Sequence, residues 1–578
     1  MESRVGFGAA RPRPGGVAPP WRERKPREAH VAVEGLRVAF AGHIRPEDLG
    51  DPVAVARQIA EAFALLDIHG GVLLTGLAEG ADALALSCWR TLGLGEVHAV
   101  LPYLPDALSP EATAGVARVT WLDGRASEAD GRSAHLAQAR WLLEDADLLV
   151  AVWSGEEARG AGGTADAVRV ALQRGVDVLW VKPGETGGPR RISPGPLETE
   201  GGLLDLVEQV RLDRPPLVFP ARGADLQPPQ EPAPPEPPAV GPWERRLDRT
   251  LWRAFAIYRR LIGGSPTPMR EPSPPPECLA SQTGFQILSR AYEAFDARAA
   301  RLAAIHRSQQ VFQALMMILA VAVGASPAIW PDIKIYAVLT ELTLALVTFL
   351  VWLGAVRSQR GRRWGEARRT AEQLRLERAA WALGLSAQGR RDIAASAAAG
   401  VARAWRRRAG APDGVFDRER VATWGGWALD DLIHGQIAYH RVQGALNHRL
   451  AHRGHAIENA VFWALVALLS AFAMAYVLAA RAHLALPHWI GGAVLLAGAV
   501  TPAFGAASLA LDSSLAFSDQ ARRSDSLRRS LEAIAEQVAP AASLDALQRA
   551  ARAAIRLRIS HEENWGDEAA HRHVVRGG

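Results

Sequence analysis

Residues 311–330 read VFQALMMILAVAVGASPAIW, and after the short stretch 331–335 (PDIKI) a second apolar run follows at 336–356 (YAVLTELTLALVTFLVWLGAV). At a rise of about 1.5 Å per residue, each run as a helix is long enough for a hydrocarbon core of roughly 30 Å. The connection leaves room only for a tight turn, so the pair is expected to form a membrane hairpin with both ends on one face. Residues 460–480 (AVFWALVALLSAFAMAYVLAA) and 489–511 (WIGGAVLLAGAVTPAFGAASLAL) repeat the arrangement around a turn containing His483, Pro487 and His488. Buried helix pairs in a large soluble protein are the competing reading, and the run lengths disfavour it.

Charge placement sets an orientation. Arg301 and Arg307 precede the first hairpin, and Arg357, Arg360, Arg362 and Arg363 follow it. Arg449 and Arg453 precede the second, and Arg522 and Arg523 follow it, whereas the turns carry only Lys334 and Arg481. By the positive-inside bias both hairpins start and finish in the cytoplasm, as do both termini. The net charge of +5 is mostly an arginine excess, and arginine flanking apolar runs explains it without nucleic acid. The stretch Arg406-Arg407-Arg408 reads as part of a solvated or lipid-facing basic helix; no aromatic interleaving supports base stacking, so nucleic acid is not expected as a partner. Only Cys88 and Cys278 occur, which suggests neither a metal site nor a disulfide framework.

Towards the N-terminus the pattern changes. Residues 36–41 (LRVAFA), 72–74 (VLL), 97–101 (VHAVL), 148–153 (LLVAVW) and 178–181 (VLWV) read as buried parallel strands. Residues 52–66, 80–92, 133–144 and 163–174 between them read as helices. Such alternation predicts an α/β Rossmann-like, doubly wound domain over 31–190, ahead of an all-α membrane domain with four transmembrane helices in two hairpins. Residues 1–30 lack the apolar core of a signal peptide and are expected to be a disordered lead-in. Residues 191–283 contain QPPQEPAPPEPPAVGP and SPTPMREPSPPPE and read as a Pro-rich linker, with 243–261 as an amphipathic helix lying on the membrane or on a partner. The first hairpin with its flanking helices takes 284–400, and the second takes 401–578. ARRTAEQLR (367–375) after the first hairpin and ARRSDSLRR (521–529) after the second suggest an internal duplication.

In a doubly wound sheet, ligands bind outside the carboxyl ends of the strands. Three loops there contain glycine: Gly42-His43-Ile44-Arg45; Thr75-Gly76-Leu77-Ala78-Glu79-Gly80-Ala81-Asp82; and Gly160-Ala161-Gly162-Gly163-Thr164-Ala165-Asp166. Glycine permits close backbone approach, helix N-termini offer unpaired N–H groups, and Arg45 suits a phosphate. Two readings of Asp82 and Asp166 stand side by side, dipole-favouring acids at helix N-termini and ribose contacts. His43 reads either as a general base or as a hydrogen-bonding residue beside a turn. No paired nucleophile and base emerges, and no cofactor is required.

The motifs GHIR, TGLAEGAD and GGTADAVRVAL after successive strands resemble the SLOG superfamily, the Rossmann-like group of the DNA-processing Smf proteins, the LOG enzymes and the N-terminal region of melastatin-type TRP channels. The resemblance implies a nucleotide-derived ligand, of cyclic-nucleotide or ADP-ribose type, at Gly76, Gly80, Gly162, Gly163 and Thr164. The LOG pattern PGGxGTxxE is incomplete here, since GGTADA lacks its Pro and Glu, which counts against phosphoribohydrolase or other N-glycosidic hydrolase activity more than against binding. The membrane half is similar to the SLATT group of two-helix modules, on RRTAEQLR (368–375), DLIHGQIAYH (431–440) and EENW (562–565). That likeness implies a homo-oligomeric, pore-forming or membrane-disrupting effector in bacterial defence, at the inner membrane.

Within the spans, Glu341 is the one acid, either a functional group or a residue near enough to the outer end to reach water. Pro502, with Gly505, is read as a kink in the last span. Small residues there, Gly491, Gly492, Gly498, Ala503, Ala506 and Ala507, suit either self-association or packing between the hairpins. The expected function is a ligand-gated membrane effector. The alternatives are a membrane-anchored nucleotide hydrolase and a small-solute or ion transporter.

Overall fold

The computed structural model describes residues 35–42, 46–66, 68, 70–103, 113–122, 132–156, 162–193, 253–263, 273–387, 396–484, 486–538 and 543–574. The readings of residues 1–30 and of His43 and Arg45 lie outside the described residues, as does most of the Pro-rich tract.

An eight-stranded sheet forms from β1 (Arg37–Gly42), β2 (Gly71–Thr75), β3 (Gly95–Leu101), β4 (Arg118–Leu122), β5 (Leu148–Val152), β6 (Asp177–Val181), β7 (Arg190–Ile192) and β8 (Gly414–Phe416), in the order β7-β6-β5-β1-β2-β3-β4-β8. All neighbours pair in parallel except β7, which runs antiparallel to β6. Helices α1 (Pro52–Ala64), α2 (Ala81–Thr91), α3 (Arg132–Glu144) and α4 (Thr164–Gln173) cover its faces. Side chains of a strand alternate between faces, and the two cores divide accordingly. Val38, Phe40, Leu73 and Val150 pack under α1 and α2 with Ile59, Phe63 and Trp89. Ala39, Leu74, Val100 and Leu149 point the other way, towards Trp141 of α3 and Val168 of α4.

The remaining chain is mostly helical: α5 (Ala254–Leu261), α6 (Glu277–Ala280), α7 (Thr283–Ala325), α8 (Lys334–Ser358), α9 (Arg360–Ala382), α10 (Ala397–Ala409), α11 (Arg418–Leu429), α12 (Gly435–Arg481), α13 (His488–Leu515), α14 (Phe517–Ala535) and α15 (Leu544–Val574). A π-helical turn, Asp430–His434, joins α11 to α12. Four helices are long and apolar enough to cross a membrane, in the stretches Thr283–Ala328, Pro331–Ser358, Arg418–Arg481 and His488–Ala535. Side by side they run α8, α7, α13, α12.

Both hairpins follow one plan. A long helix enters the apolar layer, a second returns, a single residue in the left-handed region breaks the path, and a polar helix folds back along the first. The breaks are Gln359 (φ 48°) and Ala516 (φ 51°), and α9 packs on α7 as α14 packs on α12. An L-residue there costs on the order of 1 kcal/mol, which the packing of the returning helix offsets at both places.

The sheet and the helices share one core, a relation the sequence reading did not anticipate. Leu279 of α6, Phe285 and Leu288 of α7, Trp381 of α9, Trp424 of α11, Leu531 of α14 and Ile555 of α15 are buried in the same apolar cluster as Ala39, Leu149 and Trp141. The boundary drawn at 400 falls inside α10, and β8, which follows the first hairpin, completes the N-terminal sheet beside β4. The end of the segment read as linker is likewise core: Leu279 is fully buried, and Trp427 Nε1 donates to the Ser273 carbonyl at 3.1 Å.

Candidate functional site

The sheet order reverses at β1, whose neighbours are β5 and β2. Gly42 at the end of β1, the loop after β2 and the turn Gly162-Gly163 ahead of α4 therefore belong to the carboxyl edge, where a switch point leaves a crevice. Gly42 ends β1, and a Cβ there would stand 2.3 Å from the Ala81 Cβ and 3.3 Å from the Val152 Cβ. Its glycine is needed so that the start of α2 can close on the sheet.

In the second loop Thr75 is fully buried, and the Asp82 carboxylate turns back onto the loop. Asp82 Oδ2 accepts from Thr75 Oγ1 at 3.1 Å, from the Gly76 N–H at 3.1 Å and from the Ala78 N–H at 3.4 Å, while the Leu77 N–H donates to Thr75 Oγ1 at 3.2 Å. The amides of Gly76, Leu77 and Ala78 are thus occupied by the protein itself. What faces outward is the exposed Glu79 and the half-buried Gly80, at φ 79°, which caps α2; Ala81 and Asp82, the first two residues of the helix, are buried. Burial pushes Asp82 up to about 6, against the hydrogen bonds that favour its charged form.

The third loop is built the same way. Gly162, at φ 88°, donates its N–H to Asp166 Oδ2 at 2.8 Å, and Asp166 also pairs with Arg169. Gly163 caps α4 in an extended conformation and is exposed; Thr164 opens the helix, half-buried. Each aspartate therefore sits in the first turn of its helix, as the dipole reading has it, and in addition braces its own glycine loop.

Three further residues meet these loops. Gln138 Nε2 donates to the Val100 carbonyl at 2.8 Å and lies 2.5 Å from where a Gly76 Cβ would be. His135 Nδ1 is 3.4 Å from Gln138 Oε1, and its Cβ blocks any side chain at Gly162, with 2.5 Å to the position of a Cβ. Tyr103, two residues beyond β3, sets its ring edge-on to His135 at 5.7 Å. Sequence reasoning passed over all three; the available signal was the spacing of His135 and Gln138, one turn apart at the start of a helix that follows a strand.

At the opposite end of the strands a buried ionic cluster joins sheet to helices. Asp145 receives Arg37 at 3.4 Å, Arg403 at 3.8 Å and Arg406 at 3.4 Å, and Asp147 pairs with Arg407. Glu144 holds Arg174 at 2.5 Å and pairs with Arg552. Arg406 is 0% exposed and Arg407 8%, so the basic stretch expected to face solvent or lipid is core for these two residues. The physical reason is that the acids Glu144, at the end of α3, and Asp145 and Asp147, between α3 and β5, compensate the buried guanidiniums.

In the spans, a Cβ on Gly324 would lie 2.6 Å from Glu341 Oε2, so the Glu341 carboxylate rests on the glycine that precedes the end of α7 while remaining exposed. Pro502 sits exposed inside α13, which is assigned as a single helix from His488 to Leu515. Gly492 packs on the Ala328 carbonyl, where a Cβ would stand at 2.1 Å, and Ala507 is buried against the first hairpin, so these two small residues serve packing between hairpins. Gly491, Gly498 and Gly505 face open space.

The architecture so defined is a parallel, switch-point sheet sharing its core with a helical body that carries four apolar helices. No family model, curated protein or solved structure matches the chain.

Proposed function

We propose that the protein is a ligand-gated membrane effector: the sheet, on the cytoplasmic side of a bacterial inner membrane, binds a nucleotide-derived signal, and the change is passed to the four apolar helices, which open or assemble into a pore. The observation that carries this reading is the continuity of α7 and α12. At its start α7 is packed with the sheet through Phe285 and Leu288, and the same helix continues into the apolar stretch. The π-helical turn before α12 is buried in that core through Leu432 and Ile433, and α12 likewise runs on to Arg481. A shift at the core therefore has a rigid path into the membrane.

The N-terminal ends of α2 and α4, at Gly80 and at Gly163 and Thr164, with Glu79 beside them, suit the phosphates of such a ligand. The exposed ring of Tyr103 suits its base. The resemblance of the loop motifs to SLOG domains and of the hairpins to SLATT modules supports the same assignment, with homo-oligomeric assembly and a role in bacterial defence.

The test is dye release from liposomes containing the full chain, across a panel of cyclic nucleotides and ADP-ribose-type compounds. One or more of them triggers release from wild type, and the same compound raises the melting temperature by mass action. Binding by none of them, or binding without release, contradicts the proposal.

A further inference from the structure

Helix α5 is short, yet it is fastened at both ends at the level where the apolar runs begin. Its Phe255, Tyr258 and Ile262 pack against a cluster containing Val311, the first residue of one apolar run, and Leu511, the last residue of another. The Phe255 N–H donates to Ser308 Oγ at 3.2 Å. At the other end Arg453 Nη1 donates to the carbonyls of Ile262 at 3.3 Å and Gly263 at 2.9 Å. Gly263, at φ 76°, leaves the notch for this guanidinium, since a Cβ there would stand 1.5 Å from Nη1.

The outer side of α5 has no cover within the described chain. Ile257 is 54% exposed and Leu261 80%, and the two lie one turn apart on one face. Arg260 is exposed beside them, and the half-buried Arg259 has its Nε buried without a hydrogen-bond partner among the described residues. Arg307 stacks over the Phe255 ring at 5.5 Å, with Arg259 and Arg368 acting on it as like charges. Asp512 and Glu458 approach the same helix on its inner side, near Tyr258. An apolar strip flanked by arginines, held at the start of the hydrocarbon layer, has the composition of a helix lying in a membrane interface.

We infer that α5, with Arg453, is a docking surface for anionic phospholipid of the cytoplasmic leaflet: Ile257 and Leu261 enter the acyl boundary while Arg259, Arg260 and Arg453 meet the phosphates. Each basic residue near such a surface contributes about 1 kcal/mol, close to fivefold in affinity. This surface is independent of the nucleotide reading, because it needs no ligand at the sheet.

The test is native mass spectrometry of the full chain in neutral detergent, titrated with palmitoyl-oleoyl phosphatidylglycerol or the matching phosphatidylcholine. The expected result is a preference of at least about tenfold for phosphatidylglycerol. It weakens about fivefold in Arg260→Gln and further in Arg260→Gln with Arg453→Gln, is retained in Arg260→Lys, and declines as salt is raised. Equal binding of the two lipids, or a preference unchanged in Arg260→Gln and in the double variant, overturns the inference. So does oligomerisation abolished by Ile257→Ser with no lipid preference, which would make a second copy of the chain the occupant.

Discussion

Arg406 Nη2 lies 3.4 Å from Asp145 Oδ2, joining α10, which follows the first hairpin, to the segment that leads into β5. Burial alone would raise the Asp145 carboxyl; Arg406, Arg37 and Arg403 outweigh it and hold the group down to about 2. Removing one partner from such a buried pair costs about 3–5 kcal/mol, because the remaining charges stay buried. Asp145→Asn is therefore expected to lower the stability of the full chain in detergent by that amount, read by denaturant titration. Breaking the exposed pair Arg362–Glu366, at 2.8 Å, is expected to cost less than about 1 kcal/mol.

The buried acids Glu377 and Asp82 give stability a pH dependence of the opposite sign to that of salt-bridged carboxylates. Burial raises Glu377 to about 7 and Asp82 to about 6. Each binds its proton more tightly folded than unfolded, so stability falls as pH rises from about 4 towards those values. Glu377→Gln is expected to flatten the decline between about pH 4.3 and 7, measured as the difference in melting temperature from wild type across that window. A parallel pair of curves would contradict it.

His440, in the polar part of α12, behaves conversely. Burial, reinforced by Arg558, depresses it to about 3, so it stays neutral in the folded chain while the unfolded chain protonates near 6.5. Stability is present above that value and is lost as pH falls from about 6.5 towards 3. His440→Gln is expected to reduce the acid loss, and an unchanged acid limb would show that His440 is solvated.

Gly162→Ala combines an unfavourable φ with a collision against His135, so the loop must move. A loss of roughly 1–3 kcal/mol is expected, together with weaker ligand binding. Glu79→Gln, at an exposed position, is expected to leave stability within about 0.5 kcal/mol and to alter affinity alone if that residue faces the ligand. Melting curves with and without the ligand separate the two effects.

The parallel strands β1, β2, β3, β5 and β6 were legible because each is a short, mostly apolar run, interrupted only by Arg37 in LRVAFA and His98 in VHAVL, and the four spans because of their length. The short edge strands were not. β7 and β8 have three residues each, and β4 (RVTWL) alternates too briefly to stand out. Pairing of β8 with β4 links positions such as Thr120 and Gly414, a contact that no local pattern encodes. The glycines that follow the strands were legible from the alternation alone, but the inward turn of Asp82 and Asp166, and the arrival of His135 and Gln138 from α3, depend on tertiary placement. The burial of Arg406 and Arg407 was illegible for a similar reason, since their counter-charges Asp145 and Asp147 lie far away in sequence.

Coupling between the switch-point loops and the apolar helices is tested most directly by ligand-triggered release from liposomes, comparing wild type with Gly162→Ala and with Asp145→Asn. Wild type releases dye at ligand concentrations that also stabilise the sheet; Gly162→Ala needs more ligand; and Asp145→Asn binds the ligand but releases less, because the sheet is loosened from α10. Undiminished release by Asp145→Asn, or stabilisation of the sheet by ligand with no release in wild type, would contradict the claim that the two halves act as one mechanical unit.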